Sequence, residues 1–221
     1  MKPEQSHTFP TGKFAEGFDA FSARMRQVRA LVFDWDGVFN RGEKTGASHS
    51  GFSEADSMGI NLLRFAMWLH LGKKLPICVI ISGAGNEMAQ YYAEREHFHA
   101  VLTGVKQKGD ALQHLREQLN FDQEETAFFF DDIIDLPAAR MSALKVYFPH
   151  DGKPLTNDYV AAHKLYDYMP SCGAGNLGLR EACELMIHAL GRFEEVVESR
   201  IRFSGPYEEY LLKRNETKLL P

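Results

Sequence analysis

The sequence predicts an α/β fold in which a mostly parallel sheet carries helices on both faces. Three observations lead there. Short, unbroken apolar runs recur, as in strands buried on both sides. Stretches with apolar residues at helical spacing separate them, so strand and helix alternate from residue 30 onward. Several of the apolar runs end in acids, hydroxyls or glycine, at the carboxyl end of a strand where open α/β sheets bind ligands. A chain of 221 residues, 44% hydrophobic, can bury the core of one such domain.

Taken in order, Phe14, Phe18, Phe21 and Met25 have helical spacing and predict a packed N-terminal helix. Ala30–Phe33 is the first strand. Residues 40–52, rich in Gly, Ser and charge, form a loop or a flexible hairpin. Met58–Leu71 places Ile60, Leu63, Ala66 and Met67 on one helical face. Ile77–Ile81 is a second buried strand, followed by a helix at Asn86–Arg95, a short strand at Ala100–Leu102 and an amphipathic helix at Lys108–Leu119. Thr126–Phe130 is a third strong strand. Pro137–Met141 is a short helix with proline in its first turn, where the missing N–H costs little. Leu144–Phe148 is a strand and Asn176–Leu190 a long helix. The expected organisation is an N-terminal helical extension (1–29), a core (30–192) and a C-terminal tail (193–221). The tail is charged and aromatic and is broken by Gly205-Pro206; it is read as a docked terminus, with a functional arm as the alternative.

Composition excludes several classes. The net charge is −5 with both signs mixed along the chain, so neither nucleic acid nor an anionic membrane is an expected partner. The longest apolar stretch, around residues 75–81, is too short to span a bilayer, and residues 1–13 lack an apolar signal core. Three cysteines cannot all pair and show no zinc spacing. Cys78 reads as a small core residue, and a reducing cytoplasm is the expected setting. His97 and His99 flank Phe98 and read as surface residues rather than ligands.

Chemistry concentrates in four segments. Ala30–Phe33 runs into Asp34-Trp35-Asp36-Gly37, two carboxylates whose mutual repulsion a divalent cation would relieve; hard oxygen donors favour Mg²⁺. Val79-Ile80-Ile81 runs into Ser82-Gly83, where a hydroxyl and a helix start could hold phosphate oxygens. An ordinary strand-to-helix turn with serine as N-cap would look the same. Lys106 and Lys108 open a helix, a place where a cation is unfavourable unless an anion lies nearby. Phe128-Phe129-Phe130 runs into Asp131-Asp132-Ile133-Ile134-Asp135. Asp131 could complete a metal site with Asp34, and Asp135 is either an N-cap or a supporting acid behind it.

In this order, Asp-x-Asp-Gly, strand-Ser, Lys and strand-Asp-Asp-x-x-Asp resemble the four motifs of the haloacid dehalogenase (HAD) superfamily of phosphotransferases, over roughly residues 28–192. The resemblance implies a Rossmann-like core. It makes Asp34 the nucleophile and Asp36 the general acid/base. It makes Ser82, Gly83 and Lys108 the phosphate binders, with Lys108 preferred to Lys106 because it follows Gly104 at the Gly-x-x-x-Lys spacing. It places Mg²⁺ on Asp34, Asp36 (through its backbone carbonyl) and Asp131, with Asp132 and Asp135 behind them. Only 45 residues separate Asp36 from Ser82, and 25 separate Ser82 from Lys108, so no cap domain fits.

Among capless members, the chain resembles the 3-deoxy-D-manno-octulosonate 8-phosphate phosphatase group. Asp34-x-Asp-Gly-Val-Phe-Asn-Arg-Gly, Asp56-Ser57-Met58-Gly59-Ile60 and Gly173-Ala174-Gly175-Asn176-Leu177-Gly178-Leu179-Arg180-Glu181 carry this. The implied activity is Mg²⁺-dependent hydrolysis of a small sugar phosphate by a homotetramer. Arg180 is then a structural or a substrate residue, with structural preferred. Asn40, Ala84, Phe130 and the stretch Tyr147–His150 depart from the group's pattern, in the neighbourhood that would face substrate. Two alternatives stand beside this reading: a phosphatase of a larger or nucleotide substrate, and a catalytically silent scaffold. Gly173-x-Gly175-x-x-Gly178 also matches a dinucleotide fingerprint, rejected because no βαβ unit follows it.

Overall fold

The computed structural model describes residues 12–44 and 50–220. The elements are β1 (Lys13–Phe14), α1 (Phe18–Met25), β2 (Ala30–Phe33), α2 (Glu54–His70), β3 (Ile77–Ile81), α3 (Glu87–Arg95), β4 (Ala100–Leu102), α4 (Lys108–Leu119), β5 (Thr126–Phe130), α5 (Leu136–Arg140), β6 (Leu144–Tyr147), α6 (Pro154–Ala162), β7 (Tyr168–Met169), α7 (Gly178–Ala189), α8 (Phe193–Arg202) and α9 (Pro206–Asn215). The strands form one sheet in the order β1-β7-β6-β5-β2-β3-β4. Only the β1–β7 pair is antiparallel.

The central strands β2, β3 and β5 are almost wholly apolar because both faces are covered. Leu31, Phe33, Cys78, Ile80, Ala127 and Phe129 pack beneath α1, α2, α3 and α7. Their neighbours Ala30, Val32, Val79, Ile81, Phe128 and Phe130 pack beneath α4 and α5. Alternate side chains thus enter opposite layers, and every position on these strands but Ile77 is fully buried.

β2 lies between β3 and β5 in register, Phe33 opposite Ile80 and Phe129. The connection from β2 runs to one side of the sheet and β5 returns on the other. The carboxyl ends of these strands therefore meet at a topological switch point. No cap domain is inserted among the described residues.

Several boundaries differ from the sequence reading. Phe14 lies on β1 rather than in the helix; Gly17, at φ +88°, separates the two. α2 begins four residues early because Ser53 accepts the N–H of Ala55 as its cap. α7 begins two residues late, after Leu177 in the left-handed region. β1, α6 and β7 are additional elements, and the tail consists of two helices divided at Gly205-Pro206. Residues 45–49 of the 40–52 segment, residues 1–11 and Pro221 lie outside the described residues. No described helix is long and apolar enough to cross a membrane.

His97 and His99 are half-buried and each has a partner, so they are not free surface groups. His99 Nδ1 accepts the Cys78 N–H at 3.1 Å, and burial, with Arg64 nearby, pulls its pKa down to about 4. The His99 carbonyl accepts the Leu220 N–H at 2.8 Å, and His97 Nδ1 lies 3.2 Å from the Thr217 carbonyl. Both tie the end of the chain to the β3–β4 edge. Arg180 docks α7 on α2: its N–H donates to Asp56 at 2.8 Å, and a Cβ on Gly59 would come within 2.8 Å of its Cδ.

Candidate active site

The end of β2 is held so that alternate residues face opposite ways. Trp35 is buried and stacks on Phe39 at 4.4 Å, and its indole N–H donates to Ser50 Oγ at 2.9 Å. With Trp35 anchored on one side, Asp34 and Asp36 line the cavity on the other. Gly37 then has φ +84°, and a Cβ there would lie 2.1 Å from the Asp131 carboxylate. Glycine is required at this turn because Asp131 occupies the space of a side chain.

Three acids converge. One oxygen from each of Asp34, Asp131 and Asp135 lies within 4.8 Å of the others, and all three residues are buried. Two lysines sit against them. The Lys108 ammonium, fully buried at the start of α4, is 2.5 Å from both Asp34 and Asp135. Lys153 is 2.6 Å from Asp131 and 3.0 Å from Asp132. A cation at a helix start is thus explained by the acids it meets. Lys106, two residues earlier, is exposed.

The electrostatics follow from burial. Desolvation, reinforced by Asp135, pushes the Asp34 carboxyl well above the usual range, against the pull of Lys108. Asp131 is raised to about 6, chiefly by burial, with Lys153 opposing. Burial disfavours the charged form of Lys108, but Asp34 and Asp135 outweigh it and raise its pKa. Asp135 accepts weakly from the N–H groups of Asp131 and Asp132 and makes no cap hydrogen bond to α5. Its place is behind Lys108. Asp132 caps the 3₁₀ turn at residues 133–135 through the Ile133 N–H.

Ser82 completes the sheet end. Its backbone is held by Leu102 and Val105, while its buried hydroxyl has no partner among the described residues. Gly83 lies beside it, where a Cβ would come within 2.9 Å of Ile134 Cδ1. Asp36 stands apart from the carboxylate cluster: one oxygen is buried without a partner among the described residues and the other is 3.3 Å from Lys44.

Asp34, Asp36, Gly37, Gly83, Asp131, Asp132 and Lys153 line a cavity of about 900 Å³, whereas Ser82, Lys108 and Asp135 are buried and do not line it. The donor set is all oxygen and carries excess negative charge, which suits a hard divalent cation. The sequence reading missed Lys153. Its signal matches that of Lys108, a lysine at a helix start just before Pro154, but α6 itself went unseen.

No family model matches the chain. The 3-deoxy-D-manno-octulosonate 8-phosphate phosphatase of Escherichia coli K12 is 25% identical over 177 residues, covering 78% of this chain and 86% of that protein. Its Salmonella typhi counterpart is 25% identical over 176 residues, with the same coverage. The Moraxella catarrhalis phosphatase of that name, solved with magnesium, phosphate and KDO, superposes with TM-score 0.70 at 21% identity, over 83% of this chain and 99% of that one. The cobalt-bound Haemophilus influenzae phosphatase gives TM-score 0.64 at 21% identity, over 77% and 93%. The fold is therefore that of the HAD hydrolases, and in sequence the chain resembles the octulosonate phosphate phosphatases among them.

Proposed function

We propose that the protein is a Mg²⁺-dependent phosphoric monoester hydrolase acting on an octulosonate or nonulosonate type of sugar phosphate. The observation that carries this reading is the buried Lys108 ammonium clasped between Asp34 and Asp135, at the same sheet end as the unpartnered Ser82 hydroxyl. A desolvated cation and a free donor at one sheet end suit the equatorial oxygens of a phosphoryl group. The names of the relatives support the same chemistry.

Asp34 is the nucleophile. Its carboxylate oxygen attacks phosphorus, the bond to the leaving alkoxide breaks, and protonated Asp36 gives that alkoxide its proton. Water then attacks the aspartyl-phosphate, Asp36 takes its proton, and phosphate leaves. Lys108 holds Asp34 ionised against the cost of burial, and Asp135 holds Lys108. Ser82, Gly83 and Lys108 bind the phosphoryl oxygens. Asp34, the Asp36 carbonyl and Asp131 would hold the cation, with Asp132 and Asp135 supporting them. When bound, Mg²⁺ supplies positive charge beside the phosphoryl oxygens.

Residues 30–192 form the catalytic core in this reading, with 1–29 and 193–221 as its extensions. A capless cavity suits closure by a neighbouring copy, and we expect a cytoplasmic homotetramer. Phosphate release from a panel of sugar phosphates and nucleotides, with Mg²⁺ and with chelator, tests the reading. Turnover concentrated on acidic sugar phosphates, dependent on the metal and abolished by Asp34→Asn, is expected. Turnover of nucleotides alone would favour the larger-substrate reading, and no release at all would favour the scaffold.

A further inference from the structure

Two lysines meet the acids at the sheet end, and their settings differ. Lys108 is fully buried, is clasped by Asp34 and Asp135, and does not line the cavity. It has no room to withdraw. Lys153 donates to Asp131 at 2.6 Å and to Asp132 at 3.0 Å, lines the cavity and keeps 29% of its side chain exposed. It stands just before α6, and its side chain makes no cap bond to that helix. The acids alone hold its ammonium, and the unbranched stem can turn outward by rotamer changes that leave the backbone in place. Asp131 is also one of the acids assigned above to the divalent cation. An ammonium and a divalent cation drawn to one buried carboxylate repel each other strongly at such short range.

We propose that Lys153 and the divalent cation compete for Asp131. In the metal-free protein the Lys153 ammonium is the counter-charge of Asp131 and Asp132; cation binding turns it out into the cavity. Lys153 therefore sets how tightly the site holds its metal, a role that Lys108, locked between its two acids, does not share. This deepens the phosphatase reading and rests on the part of it that gives Asp131 to the cation.

Calorimetry of Mg²⁺ with the substrate-free full chain tests the competition. Lys153→Met should bind Mg²⁺ at least about tenfold more tightly than the wild type. Lys153→Arg, which keeps the charge, should bind it no more tightly. Lys106→Met removes an equal charge from an exposed position and should leave the affinity within about twofold. A second measurement needs no variant. Acetic anhydride labels accessible lysine amines, and mass spectrometry reads each one. Saturating Mg²⁺ should raise the labelling of Lys153 several-fold and leave that of Lys106 unchanged. Equal or weaker Mg²⁺ binding by Lys153→Met would overturn the proposal, because Lys153 would then be holding Asp131 in place for the cation. Unchanged labelling of Lys153 would overturn it too. The phosphatase reading fails separately, as no phosphate release from the wild type while Mg²⁺ binding still responds to Lys153. No Mg²⁺ binding by either the wild type or Lys153→Met overturns the cation site and the competition together.

Discussion

Two buried polar clusters in this molecule contrast. One joins α2 to the C-terminal helices. Asn61 donates to the Tyr207 hydroxyl at 2.7 Å and accepts from Tyr210 at 3.1 Å and Arg214 at 3.0 Å, and Arg214 also reaches Glu96 at 3.3 Å. Its donors and acceptors answer one another. The other lies at the sheet end, where three carboxylates converge on two lysines and both the Ser82 hydroxyl and one Asp36 oxygen lack partners. A satisfied buried network contributes to stability and fixes one packing, whereas an unsatisfied one leaves bonds that a ligand can make. The difference separates the part of the molecule that holds the tail in place from the part that acts.

Substitutions should separate the two clusters by what they damage. The largest effect is expected from Asp34→Asn: phosphate release falls at least about a thousandfold. The melting temperature stays within about 3 °C, because the amide keeps the shape of the carboxyl and Lys108 retains Asp135 as a counter-charge. A collapse in stability would mean that Asp34 is structural. Lys108→Met comes next. It strands Asp34 and Asp135 without a counter-charge, at a cost of about 3–5 kcal/mol in urea unfolding at neutral pH. That cost should shrink on acidification as Asp34, whose pKa burial raises, protonates.

Asn61→Ala strips partners from two tyrosines and an arginine and should cost about 2–3 kcal/mol with phosphate release unchanged. A loss of activity in the folded variant would couple the tail to the site.

His99 gives the smallest effect, one read through pH. Its folded pKa, about 4, lies below the ordinary value of 6.5, so the unfolded chain binds more protons between them. Stability is then fully present above pH 6.5 and is lost as pH falls toward 4, by about 2 kcal/mol between pH 7 and pH 5. Comparing urea unfolding of the wild type with His99→Asn isolates this contribution: the difference should vary with pH in that window, and a constant difference would refute it.

What the sequence could reveal tracks the range of the forces involved. β2, β3 and β5 were the most legible strands because a strand buried on both faces must be apolar along almost its whole length. The acids at their ends were legible because chain direction places strand termini together. β1 and β7, of two residues each, carry no periodicity, and their pairing is decided by contacts across more than 150 positions. α6 was missed because its mean pattern is weakly amphipathic and only Val160 is buried.

Within the site, residue types alone identified Asp34, Asp131 and Lys108 as charges needing partners. That Asp135 supports Lys108, rather than capping α5, depends on the distance between two helix starts. That Lys153 joins the acids depends on a loop far along the chain folding back over β5. By itself the sequence determined the layered sheet and the charges at its end, because burial and strand direction are local consequences of residue order. Only the tertiary structure decided which charges meet, because an ion pair forms across space and leaves no period in the chain.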